Sequence, residues 1–185
     1  MRAAARILSN RSIDSLTTNE IADLAGVSIG SLYQYFPNKH ALVAALIRSR
    51  ASADIAQLTR FMELPVEVPL VEAIREGVLA LVELHRKSPH LYRVLLGAVP
   101  DLDQHAAVRE LARAGRQRLA AFLRSRLHET RALDPELAAL VLGRAVEATL
   151  HDVILEQPIL LEDPRLADEL TTLCVSYLGC HEQQQ

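Results

Sequence analysis

Residues 17–35 constrain the fold most, because they specify where two short helices begin and how they are joined. Thr17 and Glu20 have the spacing of a capping box, in which the threonine hydroxyl accepts from the glutamate amide and the carboxylate reaches back to the cap backbone. Gly26 follows at the end of the first helical segment and can adopt the positive φ of a tight turn. Ser28 then supplies the N-cap of a second helix. The sequence therefore predicts a helix, a tight turn and another helix in immediate succession.

Small and apolar residues indicate how these two helices pack against each other. Ala22 is small enough to allow a close crossing, and Val27 and Leu32 are expected to fill the wedge between the helices. This is helix-turn-helix spacing, which an ordinary helical hairpin can share. The spacing alone leaves both alternatives open.

Helical patterning extends along the rest of the chain. Ala, Leu, Glu and Arg dominate, glycine occurs at only seven positions, and no stretch shows a sustained alternation of β-branched and aromatic residues. The eight prolines fall mostly between periodic segments, where they suit first-turn or interhelix positions. An all-α fold is expected. The helices are predicted near residues 2–9, 18–25, 29–35, 38–62, 70–87, 90–97, 103–129, 135–156 and 163–178.

Composition and motif content exclude several protein classes. The 185 residues are 50% hydrophobic and 23% charged, which suits a folded domain. No apolar run approaches the roughly 20 residues that span a bilayer, and the first residues lack the pattern of a signal peptide, so a cytoplasmic protein without membrane contact is expected. Cys174 and Cys180 match no common zinc spacing, and the seven histidines lack metal-binding or catalytic motifs. Neither an enzyme nor a metal or cofactor site is predicted.

Charge and aromatic residues are unevenly distributed. Residues 1–50 carry six Lys and Arg against three Asp and Glu, whereas the whole chain has a net charge of −3. Three of the seven aromatic residues, Tyr33, Tyr35 and Phe36, lie within four positions of one another. A basic amino-terminal part joined to an acidic remainder suggests that the first part binds a polyanion and the second has another task.

The run from residue 17 to residue 42 resembles the tetracycline-repressor (TetR) family of bacterial transcription regulators. The family pattern is a threonine that opens one helix, then Ile-Ala-x-x-Ala-Gly-Val-Ser, then Gly-x-Leu-Tyr-x-(His/Tyr)-Phe, then a lysine that starts the next helix. It is met here by Thr17, residues 21–28, residues 30–36 and Lys39. The resemblance implies an amino-terminal three-helix DNA-binding domain, here residues 1–45, and a helical effector-binding and dimerisation domain, here residues 46–185.

The resemblance also implies that the second helix of the motif enters the major groove, with its first residues at base edges and other residues at phosphates. The expected base contacts are Ser28, Ile29, Gly30, Ser31 and Gln34. Gln34 is suited to a bidentate contact to adenine and Ile29 to a thymine methyl group. The residues that match the family's phosphate clamp are Thr17, Tyr33, Tyr35 and Lys39.

Three observations leave alternatives at this site. Tyr35 either contacts DNA or packs in the core, whereas Phe36 is expected to be a core residue. Thr18 stands where the family usually has an apolar residue, and the predicted first helix, residues 2–9, is short. The alternative function is a helical ligand-binding and dimerisation module whose DNA binding is weak or lost.

Two helices near the carboxyl end suit the family's dimer of four packed helices. The segment 135–155 is apolar around much of its circumference and contains the small residues Gly143, Ala145 and Ala148. Residues 166–178 add leucines at helical spacing. A homodimer is therefore expected, with a monomer in which both helices are core as the alternative.

The central helices are expected to hold a small-molecule effector that is mainly apolar. The residues expected to contact it are Tyr92, His105, Phe122 and His151. Each of the histidines has an ordinary surface or core role as its alternative. The predicted function is a repressor that the effector releases from a palindromic operator in double-stranded DNA.

Overall fold

A computed structural model describes residues 2–8, 17–102, 106–131 and 134–180. These ranges contain helices and no strand, which confirms the all-α prediction. The α-helices are α1 (Arg2–Leu8), α2 (Thr18–Ala25), α3 (Ile29–Tyr35), α4 (Lys39–Met62), α5 (Leu70–Arg86), α6 (Pro89–Leu102), α7 (Ala106–Ser125), α8 (Pro135–Glu156) and α9 (Pro164–Leu178). Short 3₁₀ turns span Leu127–Glu129 and Pro158–Glu162.

The predicted helix boundaries differ from the observed ones mainly around α6. The sequence predicts an end near residue 97, ahead of Pro100, but α6 continues to Leu102. A proline removes one backbone donor from a helix, and here it lies close to the carboxyl end, where only the last turn is affected. The predicted helix 103–129 is described as α7 from Ala106 to Ser125, followed by a 3₁₀ turn.

The chain divides into two compact units. The first unit comprises residues 1–52 and 88–111, and the second comprises residues 53–87 and 112–185. Helix α4 contributes residues to both units, and α6 belongs to the first. The expected domain boundary between residues 45 and 46 stays a prediction.

The core of the first unit forms around α4. Its buried apolar side chains come from α1, α2, α3, α4 and α6, and partly buried residues including Phe36 and Val94 pack against them. The buried members of this cluster are Ala4, Ile21, Ala22, Leu32, Leu42, Val43, Ala44, Leu46, Ile47 and Leu91. Burial of this apolar area is what stabilises helices as short as α2 and α3, which are marginal on their own.

The core of the second unit forms where α5 packs on α9 and α8 completes the layer. Gly77 of α5 faces the ring of Phe61, so close that an added Cβ would lie 2.7 Å from two of the ring carbons. That ring meets Phe122 of α7 edge to face, with centroids 5.4 Å apart. Phe61 thereby fixes the carboxyl end of α4 within the second unit.

A buried arginine holds the segment between α4 and α5. The Arg126 side chain is 1% exposed, and its guanidinium donates to the carbonyl oxygens of Pro65 at 2.9 Å, Val66 at 3.2 Å and Val68 at 2.7 Å. It also donates to Glu129 Oε1 at 2.9 Å. A charge so deeply buried is tolerated only when it is paired and hydrogen-bonded, and these four acceptors meet that requirement.

Glu129 completes this cluster from the other side. Leu70 is the first residue of α5, and its backbone N–H donates to Glu129 Oε2 at 2.7 Å. Pro69 precedes that helix and offers no side-chain cap, so the carboxylate of Glu129 satisfies a helix amide that would otherwise lack a partner. Arg126 and Glu129 together are called the loop clamp below.

None of the helices in the described ranges is both long enough and apolar enough to cross a membrane.

Candidate nucleic-acid interface

The capping box at the start of α2 is present as predicted. Thr17 is extended at φ −111°, and its Oγ1 accepts from the Glu20 amide at 3.3 Å. In return, the Glu20 carboxylate accepts from the Thr17 amide at 3.3 Å and from the Thr17 hydroxyl at 2.8 Å. Both hydrogen-bonding directions of the Thr17 hydroxyl are therefore used within the protein.

The turn between α2 and α3 has the geometry that the sequence predicts. Gly26 lies at φ +68° and ψ +32°, and its amide donates to the carbonyls of Ala22 and Asp23. The Val27 amide donates to the Ala22 carbonyl at 3.0 Å. The bonds from Gly26 to Asp23 and from Val27 to Ala22 form a Schellman motif, which ends a helix with a left-handed residue.

Replacing Gly26 by alanine is expected to destabilise the protein by about 1 kcal/mol. An added Cβ at Gly26 would meet no atom within 4 Å, so the cost comes from the positive φ alone. The measurement is urea unfolding followed by circular dichroism. Gly30→Ala is the matched control, because its Cβ would lie 3.9 Å from Ser28 Oγ within a helix, and it should stabilise by up to about 1 kcal/mol. Equal effects for the two variants would contradict the role of the turn.

The wedge between the two helices is filled differently from the prediction. Leu32 is 7% exposed and Ala22 2% exposed, as expected, but Val27 is 45% exposed and does not fill the wedge. Val27 is the last donor of the Schellman motif and lies before the N-cap of α3, outside both helices, whereas Ile21 within α2 is buried.

Ser28 begins α3 as its N-cap. Its Oγ accepts from the Ser31 amide at 3.1 Å and lies 2.9 Å from the Ser31 hydroxyl. Each hydroxyl has one hydrogen, and the hydrogen bond between the two hydroxyls uses one of them, whichever residue donates. One hydroxyl hydrogen of the Ser28–Ser31 pair is thus left for another acceptor.

Most of the predicted contact residues on α3 are exposed, and Ile29, Gly30, Tyr33 and Gln34 share one side of the helix, called the reading face below. Ile29 is 38% exposed, Tyr33 48% and Tyr35 79%, and Gly30 and Gln34 are also exposed. The exposure of Tyr35 shows that its core alternative is wrong.

A hydroxyl–hydroxyl contact joins α2 to α3. Thr18 Oγ1, at the first residue of α2, lies 3.1 Å from the hydroxyl oxygen of Tyr33. Sequence reasoning identified Tyr33 but missed its partner, although the unusual polar residue at position 18 was the signal that could have found it.

The start of α4 lies beside this motif in the chain. Asn38 caps the helix, because its Oδ1 accepts from the Ala41 amide at 2.8 Å. Lys39 is the first residue of α4 and is half-buried. All nine residues predicted to contact DNA belong to the first unit. Their roles in DNA binding stay predictions.

The residues expected to contact an effector are distributed over the chain. Tyr92 is 6% exposed in the first unit, whereas Phe122, also 6% exposed, lies in the second unit beneath the Arg126 guanidinium. His151 is half-buried on α8, and burial lowers its pKa against the opposing effect of nearby carboxylates. His105 lies outside the described residues.

The two cysteines are free thiols. Cys174 is buried in α9, and burial raises its pKa to about 11, so the thiol stays protonated at neutral pH. Cys180 is half-buried, and its pKa is raised mainly by burial. Within the described ranges no three His, Cys, Asp or Glu residues form a group that could hold a metal ion.

Two family models match the chain. The amino-terminal model, "Bacterial regulatory proteins, tetR family", matches residues 1–46, and "Tetracyclin repressor-like, C-terminal domain" matches residues 69–178. Among curated proteins, the nucleoid occlusion factor SlmA of Haemophilus influenzae is 34% identical over 89 residues, which are 48% of this chain and 40% of SlmA. The matched segment thus spans about two fifths of that relative.

Solved structures share the fold over nearly the whole chain. A bacterial regulatory protein in the tetR family from Rhodococcus RHA1 superposes with a TM-score of 0.73 at 21% identity, covering 98% of this chain and 95% of that one. The transcriptional regulator FadR from Bacillus subtilis, in complex with stearoyl-CoA, superposes with a TM-score of 0.68 at 18% identity, covering 97% of both chains.

Proposed function

The chain belongs to the TetR family of bacterial regulatory proteins, and on that premise we propose that it is a homodimeric repressor which a small-molecule effector releases from a palindromic operator. The observation that carries the proposal is the reading face, which presents polar and apolar side chains outward from a short, firmly capped helix. Small residues at its start allow the backbone to approach base edges closely.

On this proposal, different residues contact the bases and the phosphates. Ile29 packs on a thymine methyl group, and the exposed amide of Gln34 accepts from and donates to one adenine edge. The remaining hydrogen of the Ser28–Ser31 pair donates to a base or phosphate oxygen. Tyr33, Tyr35 and Lys39 contact phosphates, which set the register without reading sequence.

Thr17 has a narrower role than the other predicted phosphate contacts. Its hydroxyl is fully engaged with Glu20, so its contribution is to fix the start of α2.

The outward face of α8 supports the proposed dimer. Leu137 is 57% exposed, Leu140 42%, Val141 39% and Leu155 39%, an apolar stripe, interrupted by the exposed Arg144, that a single subunit leaves uncovered. A Cβ added at Gly143 on the same helix would meet nothing within 4 Å, so a second helix can approach closely there. In a dimer that binds successive major grooves, the two reading helices would lie about 34–36 Å apart.

The second unit is the proposed effector-binding part. The buried Phe122 and the half-buried His151 are the candidate contacts there, and a mainly apolar effector with one polar group suits them. The complex of FadR with stearoyl-CoA is a precedent for a ligand with a long apolar chain bound by a protein of this fold. Because α4 contributes residues to both units, it is the proposed route by which the effector weakens DNA binding, through a coupling of roughly 1–3 kcal/mol.

Selection of bound duplexes from random DNA tests the proposal directly. A dimeric regulator should enrich one palindromic sequence, and its affinity should fall steeply as salt rises. Failure to enrich any sequence would leave the alternative, a helical ligand-binding and dimerisation module.

Substitutions at Gln34 and Lys39 should separate base reading from phosphate binding. Gln34→Ala is expected to relax the preference at one base pair of each half-site, because one bidentate contact is worth about 1–3 kcal/mol of discrimination. Lys39→Ala is expected to weaken binding to all sequences alike and to reduce the salt dependence. The measurement is fluorescence anisotropy with the selected duplex and its single-base variants. An equal loss on selected and random DNA for Gln34→Ala would refute its proposed role.

A further inference from the structure

Adjacent threonines at the start of α2 have different hydrogen-bond partners. The hydroxyl of Thr17 is used by the capping box with Glu20. The hydroxyl of Thr18 instead reaches across to α3 and lies 3.1 Å from the hydroxyl of Tyr33, whose side chain is 48% exposed. Thr18 is half-buried, whereas Tyr33 is exposed.

The chemistry of this pair depends on which hydroxyl donates. Each hydroxyl has one hydrogen, so if Tyr33 donates to Thr18, its hydrogen is directed inward. If Thr18 donates, the phenolic oxygen accepts and its own hydrogen is free to point elsewhere. A phosphate oxygen is a charged acceptor and forms a stronger bond with the phenol than a neutral hydroxyl does. A phosphate near Tyr33 therefore favours the arrangement in which Thr18 donates.

We propose that Thr18 is a positioning residue for DNA binding, which donates to the Tyr33 hydroxyl and thereby directs the tyrosine's hydrogen at a DNA phosphate. This inference rests on the proposed function and names a residue that acts within it. The two hydrogen bonds run in series from Thr18 to Tyr33 to phosphate, and each bond polarises and strengthens the next. The threonine also restricts the tyrosine before DNA arrives, which reduces the ordering cost of binding.

Thr18→Val tests the proposal, because valine keeps the shape of threonine and removes the hydroxyl. The expected loss of affinity is about threefold per half-site, and so roughly tenfold for a dimer on a palindrome. The probe is the palindromic duplex that the wild-type full-length chain selects from random DNA, with a scrambled duplex alongside. Since a phosphate contact carries no sequence information, the same loss is expected on both duplexes.

Conservative and double variants distinguish positioning from a structural role. Thr18→Ser keeps the hydroxyl and should retain most of the affinity. In a Tyr33→Phe background, Thr18→Val should have no further effect, because the group it positions is gone. The proposal is overturned if Thr18→Val weakens binding equally with and without the Tyr33 hydroxyl, which would mean a direct contact or a loss of folding. Thermal unfolding separates those two outcomes.

Failure of this inference differs from failure of the proposed function. If the wild-type chain selects a duplex and Thr18→Val binds it as tightly as wild type, only the positioning role is wrong. If the wild-type chain selects no duplex, the proposed function itself fails.

Discussion

Replacing Arg126 by methionine is expected to destabilise the protein by about 3–5 kcal/mol. Methionine fills much of the same volume but cannot donate to the three carbonyls of Pro65, Val66 and Val68 or to Glu129. The Glu129 carboxylate, whose side chain is only 17% exposed, would then lose its arginine partner, and the three carbonyls would lose their donor. Urea unfolding at neutral pH measures the change.

Two further variants determine whether the loop clamp causes that loss. Arg124→Met removes an exposed ion pair between Arg124, in the last turn of α7, and Glu136, and it should cost less than about 1 kcal/mol. Adding Glu129→Gln to Arg126→Met removes the stranded charge while keeping an acceptor for the Leu70 amide, so part of the stability should return. Equal costs for Arg124→Met and Arg126→Met would contradict the loop clamp.

Replacing Val141 by glutamate is expected to raise the dissociation constant of the dimer by about a hundredfold or more. Val141 lies in the apolar stripe on the outward face of α8, one turn from Leu137. In the proposed dimer a carboxylate at this position would be buried among apolar side chains, twice per dimer. Because affinity for a palindrome requires both subunits, operator binding should fall with it.

Sedimentation velocity over a range of protein concentrations measures this change. Leu79→Glu is the matched control, since Leu79 is a 49% exposed apolar residue on α5, outside the stripe on α8. That control should leave the dimer intact. A wild-type chain that sediments as a monomer, or a Val141→Glu variant that stays dimeric, would refute the proposed interface.

Local signals in the sequence predicted much of the fold because their physics is local. The capping box of Thr17 and Glu20 and the left-handed Gly26 depend on residues a few positions apart, and both were confirmed. Helix α8 begins at Pro135, directly after its N-cap Asp134, and this is the residue at which the sequence predicts its start. Where one hydrogen bond or one φ value determines a helix end, the sequence is sufficient.

Features that depend on distant residues could not be predicted in the same way. Arg126 lies in an arginine-rich segment, where an unpaired, solvated side chain is the ordinary expectation, and its burial follows from carbonyls about sixty residues away. The prediction that Leu32 is buried was confirmed, but the prediction that Val27 is buried was wrong, because the side chain of Val27 lies exposed in the turn. Each of these outcomes depends on how separate segments meet.

In the candidate site, too, local features could be predicted from the sequence, whereas features that depend on packing between helices could not. Helical spacing is enough to place Ile29 and Gln34 on the same short helix, but only tertiary packing determines that Tyr35 is exposed while Phe36 packs against the core. The contact between Thr18 and Tyr33 joins residues fifteen positions apart on different helices, which no local rule specifies.

The first unit is built from two separate stretches of chain, since Leu91 and Val94 of α6 complete the apolar cluster around α4. An engineer who wished to transplant the DNA-binding half onto another sensor could not cut the gene once after residue 46. The grafted piece would expose the apolar surface that α6 covers in this protein, and such a surface promotes aggregation. A working chimera must include both stretches. A single recombination event between the two domains in the gene would therefore not transfer an intact first unit.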